Sequence, residues 1–111
     1  MVLSQQVQLT QILNSLLANA LEAMDEGGTL AITLAPLDAQ RVRVVVSDTG
    51  KGMTEEQRLM AFRPFFTTKR GGLGVGLVLV KRIMERFGGA VALESREGEG
   101  THVSLTFKRV P

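Results

Sequence analysis

Apolar residues recur at a helical period along the first part of the chain. Ile12, Leu13, Leu16, Leu17, Ala20, Leu21 and Met24 share one side, which predicts a helix from about Gln5 to Met24. The opposite face is narrow and polar or small: Gln11, Ser15, Ala18, Asn19, Glu22 and Ala23. Gly27-Gly28 ends the helix. Leu30, Ile32 and Leu34 then alternate with Ala31, Thr33 and Ala35 as a strand, and Pro36 to Gln40 makes a turn. A second strand runs from Arg41 to Asp48, with Val42, Val44 and Val46 facing one way. Thr54 to about Ala61 reads as a short helix, Thr54 and Gln57 being spaced as a capping box.

Phe62 to Gly74 has no clean period and reads as a loop carrying Pro64, Lys69, Arg70 and Gly71-Gly72. From Val75 to Phe87 a stripe of Leu77, Val80, Met84 and Phe87 lies opposite Lys81, Arg82 and Glu85, and this helix stops at Gly88-Gly89. Two last strands, about Ala90 to Ser95 and Thr101 to Lys108, are joined by a hairpin turn over Glu97-Gly98-Glu99-Gly100. The order is helix, hairpin, helix, loop, helix, hairpin. It predicts an α+β fold, a two-layer sandwich with a mixed sheet of about four to five strands under about three helices.

Composition narrows the function classes. A chain of 111 residues, 44% hydrophobic and 22% charged, is sized and balanced for one globular domain. No apolar run reaches the roughly 20 residues of a membrane span, and no secretory signal pattern opens the chain. The expectation is a domain that touches no membrane and works in the cytoplasm. The absence of cysteine removes disulfides, thiolate metal sites and cysteine nucleophiles, and suits a reducing compartment. A net charge of +2 is too small to argue for nucleic acid. Twelve glycines against three prolines are the oddity, and they cluster where chemistry is expected.

Three clusters carry candidate chemistry. Ser15, Asn19 and Glu22 share one side of the first helix, which reads either as an ordinary solvent-facing flank or as a ligand-bearing one. An amide oxygen suits Mg²⁺, a hard cation that keeps waters or phosphates in its other positions, and Glu22 adds negative charge nearby. Asp48 stands in phase with Val42, Val44 and Val46, so it points inward at a strand end. A buried carboxylate needs donors, and it accepts hydrogen bonds only. Adenine offers an exocyclic amine where guanine has a carbonyl. The turn after it, Asp48-Thr49-Gly50-Lys51-Gly52, reads as a flexible segment that lets backbone approach closely. Gly72-Leu73-Gly74-Val75-Gly76-Leu77 opens a helix whose N–H groups can meet phosphate. It is neither a Walker loop nor a Rossmann fingerprint. On spacing alone, Lys69 and Arg70 serve equally as phosphate contacts or as solvated loop cations.

Together these pieces resemble the ATP-binding catalytic domain of sensor histidine kinases, within the GHKL or Bergerat-fold ATPases. The stretch from Gln11 to Met24 around Asn19-Ala20 resembles the N box, and Asp48 to Met53 the first glycine box. Phe62-Arg63-Pro64-Phe65-Phe66-Thr67-Thr68-Lys69 is similar to the F box in its nitrogen-regulator form. Gly72 to Leu77 resembles the second glycine box, and Gly98-x-Gly100-Thr101 the closing strand.

The resemblance implies that Asn19 coordinates the Mg²⁺ bridging the ATP phosphates, beside Glu22 and Ala23. It implies that Asp48 binds the adenine amine, with Gly50, Gly52 and Met53 shaping the base pocket and Thr101 reaching the base through water. Thr67, Thr68, Lys69, Gly72, Gly74, Val75, Gly76 and Leu77 belong to a short lid over the triphosphate, Lys69 being its phosphate contact. Asn19, Ser15 and Lys69 are the candidate catalytic residues. Ser15 stands where the family usually has a second Asn, so its role there would run through water. The family's phosphoacceptor helix has no counterpart here, and the single histidine, His102, alternates out of phase with Thr101 and should face solvent.

The expected activity is donation of the γ-phosphoryl group of Mg–ATP to a histidine on a dimerisation domain, normally N-terminal in the parent polypeptide, with a response regulator downstream. The chain is thus expected to be an excised or truncated catalytic domain. A serine kinase of the anti-sigma type has a similar fold, but the Phe-Phe-Thr-Thr-Lys loop argues against it. A binding module whose nucleotide state only alters partner contacts is a rival from a different class, and a generic α+β domain that binds no nucleotide is the third.

Overall fold

The computed structural model describes residues 3–63 and 76–108. A helix α1 (Leu3–Ala23) is followed by the hairpin β1 (Leu30–Pro36) and β2 (Arg41–Asp48), then α2 (Glu55–Met60), α3 (Gly76–Arg86), and the hairpin β3 (Ala90–Arg96) and β4 (Gly100–Lys108). The strands form one sheet in the order β1-β2-β4-β3, and every adjacent pair is antiparallel. The expected mixed sheet is therefore corrected to an antiparallel one among the described residues. β3 does run in the direction of β2, but β4 inserts between them, so the two like-directed strands never pair.

One face of the sheet carries the helices. α1 packs on β2 and β4, α3 packs on α1 and β3, and α2 touches β3. Ile12 and Leu16 from α1 meet Val80, Ile83 and Met84 from α3 above Val46, Leu93, Val103 and Leu105 of the sheet, and Ala20 of α1 is buried as well. Ile83 completes the α3 stripe anticipated from Val80 and Met84. The α1 stripe is narrower than its apolar residues suggest. Leu21 is 63% exposed, and Leu13 and Leu17 are only half-buried. Ser15, Asn19 and Ala23 are half-buried beside the core stripe rather than opposite it. The alternation of β1 is also only partly used, since Leu30 packs on the core while Ile32 and Leu34 are 52% and 72% exposed. β1 is an edge strand, and no described helix packs substantially against it beyond Leu30.

Local signals explain the element ends. Thr54 caps α2: its hydroxyl accepts from the Gln57 amide at 3.1 Å, and the Gln57 side chain accepts from the Thr54 amide at 2.9 Å. After α3, Gly88 takes φ +72° and Gly89 donates back to the Met84 carbonyl at 2.9 Å, the left-handed stop anticipated at Gly88-Gly89. In the β1–β2 turn the Asp38 carboxylate accepts from the Gln40 amide at 2.9 Å and from Arg41 Nε at 2.8 Å. The hydrogen bonds from Arg41 and Gln40 hold its carboxyl below the ordinary value.

Candidate functional site

The sheet's covered face changes character at one end. Register places Leu30, Asp48, Thr101 and Ser95 in one row across β1, β2, β4 and β3. The next row, Ile32, Val46, Val103 and Leu93, is wholly apolar. Asp48 and Thr101 are each 8% exposed, the two buried polar side chains among the described residues. Alternation puts Asp48 in phase with Val46 and Thr101 in phase with Val103, and both side chains face inward. One Asp48 oxygen, Oδ1, accepts from the Gly50 amide at 2.8 Å. Among the described residues no hydrogen bond reaches Oδ2, and a carboxylate oxygen can only accept one.

The turn after Asp48 brings backbones into the close approach expected there, and hydrogen bonds tie it down on both sides. Thr49 ties it to β1: its amide donates to the Thr29 carbonyl at 3.1 Å, and its hydroxyl accepts from the Thr29 amide at 2.9 Å. Lys51 donates to the Ala23 carbonyl at 3.0 Å and accepts from the Gly98 amide at 2.7 Å. A Cβ at Gly50 would crowd Ala23, and one at Gly52, where φ is +67°, would overlap the Arg96 carbonyl. Gly100, at φ +86°, lies equally close to the Asp48 carbonyl. These glycines let protein backbones meet, clamping the turn between the end of α1 and the β3–β4 hairpin. Met53 continues from the clamp onto the core.

That clamp aligns α1 with the polar row. Ala23 touches the turn, and Asn19 and Ser15 lie one and two helical turns upstream on the same half-buried flank. Glu22 is exposed on the adjoining side, and both Asn19 and Glu22 have interactions within the protein. The structure thus brings Asn19, Ala23, Asp48, Gly50, Gly52, Met53 and Thr101 to one end of the sandwich. Among the described residues no three His, Cys, Asp or Glu side chains cluster to hold a metal themselves. A hard cation beside Asn19 would draw its other ligands from phosphate and water, which fits Mg²⁺.

The lid lies largely outside the described residues: Thr67, Thr68, Lys69, Gly72, Gly74 and Val75 fall there. Its two ends do not. Phe62 packs on the core under Lys81, whose ammonium stands 5.8 Å from the ring centre, and Gly76 begins α3. Leu77 packs on the core. His102 faces away from the site as expected, exposed, with Nδ1 2.7 Å from Ser47 Oγ. Ser95 joins this polar row although it belongs to no sequence motif. Its alternation with Val91 and Leu93, a polar residue in an inward phase, was the available signal.

Residues 4–111 match the model of the histidine kinase-, DNA gyrase B- and HSP90-like ATPase family. The chain belongs to that family. Sporulation kinase E of Bacillus subtilis is 38% identical over 104 residues, covering 92% of this chain and 14% of that protein. Sensor histidine kinase ZraS of Salmonella typhimurium is 41% identical over 93 residues, 84% of this chain and 20% of that protein. The chain therefore spans only about a fifth or less of these two relatives.

Among solved structures, full-length ShkA in complex with AMPPNP aligns with a TM-score of 0.82 and 32% identity over 94% of this chain and 22% of that one. The nucleotide-free catalytic domain of the histidine kinase ThkA gives 0.79 and 36% over 92% and 66%. Together with the mycobacterial sensor kinase MprB, at 0.84 and 26% over 95% and 72%, these make this an ATP-binding, α+β histidine-kinase ATPase domain.

Proposed function

We propose that the polar end of the sandwich binds the adenine of Mg–ATP, and that this chain donates the γ-phosphoryl group to a histidine of a separate dimerisation domain. The observation that carries the reading is Asp48, buried at a strand end with one carboxylate oxygen held by Gly50 and, among the described residues, no hydrogen bond to the other. The kinship to sensor histidine kinases and the likeness to an AMPPNP complex support it.

Phosphoryl transfer asks a protein for alignment and charge neutralisation rather than covalent chemistry. Asp48 accepts from the exocyclic amine and fixes the base. Gly50, Gly52 and Met53 set the pocket wall, and Thr101 adds an oxygen beside Asp48. Asn19 offers its amide oxygen to Mg²⁺, which when bound neutralises phosphate charge. Lys69, with Thr67, Thr68 and the glycines Gly72, Gly74 and Gly76, contributes lid contacts to the phosphates, and Ser15 orders water. The acceptor imidazole nitrogen takes the γ-phosphoryl group, the bond to the β,γ-bridging oxygen breaks, and the imidazole gives up its N–H proton as ADP leaves. A response regulator then takes the phosphoryl group from the histidine. We place the domain in the cytoplasm, where ATP is abundant. Among the described residues no helix is long and apolar enough to cross a membrane.

Incubation with γ-labelled ATP and a separately produced acceptor domain tests the transfer. Acid-labile label on the acceptor is expected. Acid-stable label on serine, or nucleotide binding with no transfer, contradicts it.

A further inference from the structure

We propose that Ser95 is a positioning residue for base recognition, holding the Thr101 hydroxyl so that its lone pairs, and not its proton, face the bound base. This rests on the adenine site proposed above and deepens it. The carrying observation is a two-bond chain at the end of the polar row. Ser95 Oγ donates to the Gly100 carbonyl at 3.1 Å and lies 2.8 Å from Thr101 Oγ1.

Proton accounting fixes the direction of that chain. A hydroxyl has one proton and two lone pairs, and a carbonyl only accepts. The bond to Gly100 therefore uses the Ser95 proton. The short contact to Thr101 must then be donated by Thr101, whose own proton is thereby turned toward β3 and away from Asp48. What Thr101 presents beside Asp48 is an acceptor. Asp48, its register partner on β2, presents another.

Two adjacent acceptors suit a ligand edge that offers donors, an exocyclic amine directly or through water. They disfavour a purine with a carbonyl at that position, because acceptor would face acceptor. Without Ser95 the Thr101 hydroxyl is free to rotate its proton toward the ligand, and part of the discrimination is lost. Ser95 would then set selectivity for a 6-aminopurine without touching it. A Ser95 that merely pinned the β3–β4 hairpin would change stability and leave the choice of base alone.

The test measures Kd for ATP and for inosine triphosphate, which carries a carbonyl in place of the amine, together with thermal stability. Ser95→Ala is expected to lower the ATP-to-ITP preference about fivefold, the scale of one neutral hydrogen bond, and Ser95→Thr to restore it. Ser95→Ala combined with Thr101→Val should lower the preference no further than Thr101→Val alone. An unchanged preference in Ser95→Ala, whatever the melting temperature does, overturns the proposal. Should Ser95→Ala fail to fold, the near-isosteric Thr101→Val reads the same quantity, and full discrimination in that variant overturns it equally. Asp48→Asn separates the two levels. If it leaves ATP binding intact the adenine site itself is wrong. If it weakens ATP while Ser95→Ala keeps the preference, only the positioning role is wrong.

Discussion

At the scale of single residues, the site is built from backbone proximity as much as from side chains. Gly52 combines φ +67° with an Arg96 carbonyl standing where a Cβ would go. Gly52→Ala should cost at least ~2 kcal/mol of stability, seen as a lowered denaturant midpoint, because strain and overlap add. A wild-type midpoint would show that the clamp yields. Asn19 tests a different property of the same end. Asn19→Asp keeps the shape but sets a carboxylate beside phosphate, so Mg²⁺-dependent transfer should fall while adenosine affinity stays within about twofold. Equal transfer rates in variant and parent would remove Asn19 from the metal site. The inward phases of Asp48 and Thr101 were legible from alternation alone, because a strand fixes side-chain direction residue by residue. The tightness around Gly50 and Gly52 was not legible. Their neighbours Ala23 and Arg96 come from elements distant in sequence, and a glycine pair reads the same whether its space is empty or taken.

Elements show the same division between local and long-range information. The Thr54 capping box and the Gly88 stop were readable because each involves residues only a few positions apart. The burial of β1 was not readable. Its alternation is clean, yet Ile32 and Leu34 stay exposed because the helical layer lies over β2, β4 and β3. An unpaired apolar edge without charge invites strand-to-strand association. Ile32→Lys with Leu34→Lys should leave stability within ~1 kcal/mol and reduce self-association in sedimentation at high concentration. A loss of several kcal/mol would mean that the edge is structural. The hairpin tip carries a local pH response. Because Arg41 lowers the Asp38 pKa, the pair's contribution is complete above the ordinary carboxylate value and disappears as pH falls through the lowered one. Both partners are exposed, so the tip loosens while the fold persists. An NMR titration of the Asp38 carboxyl should give a midpoint below that of a model peptide, and one at or above it contradicts the pairing.

The whole molecule is a sandwich whose sheet is apolar over most of its covered face and polar in a single row. Motif order along the chain made the family legible, since the boxes stay in sequence whatever their spacing in space. The antiparallel sheet and the partnership of Ser95 with Thr101 needed the strand order β1-β2-β4-β3, which no local pattern encodes. Adenine recognition by the buried Asp48 is the claim on which the rest depends. Calorimetric titration of ATP into the parent chain and into Asp48→Asn tests it most directly. The amide swaps an acceptor for a donor at nearly constant shape, so Kd should rise about ten- to hundredfold, the range for a hydrogen bond to a charged group, with an unchanged circular dichroism spectrum. Equal affinity in the two proteins would contradict the account.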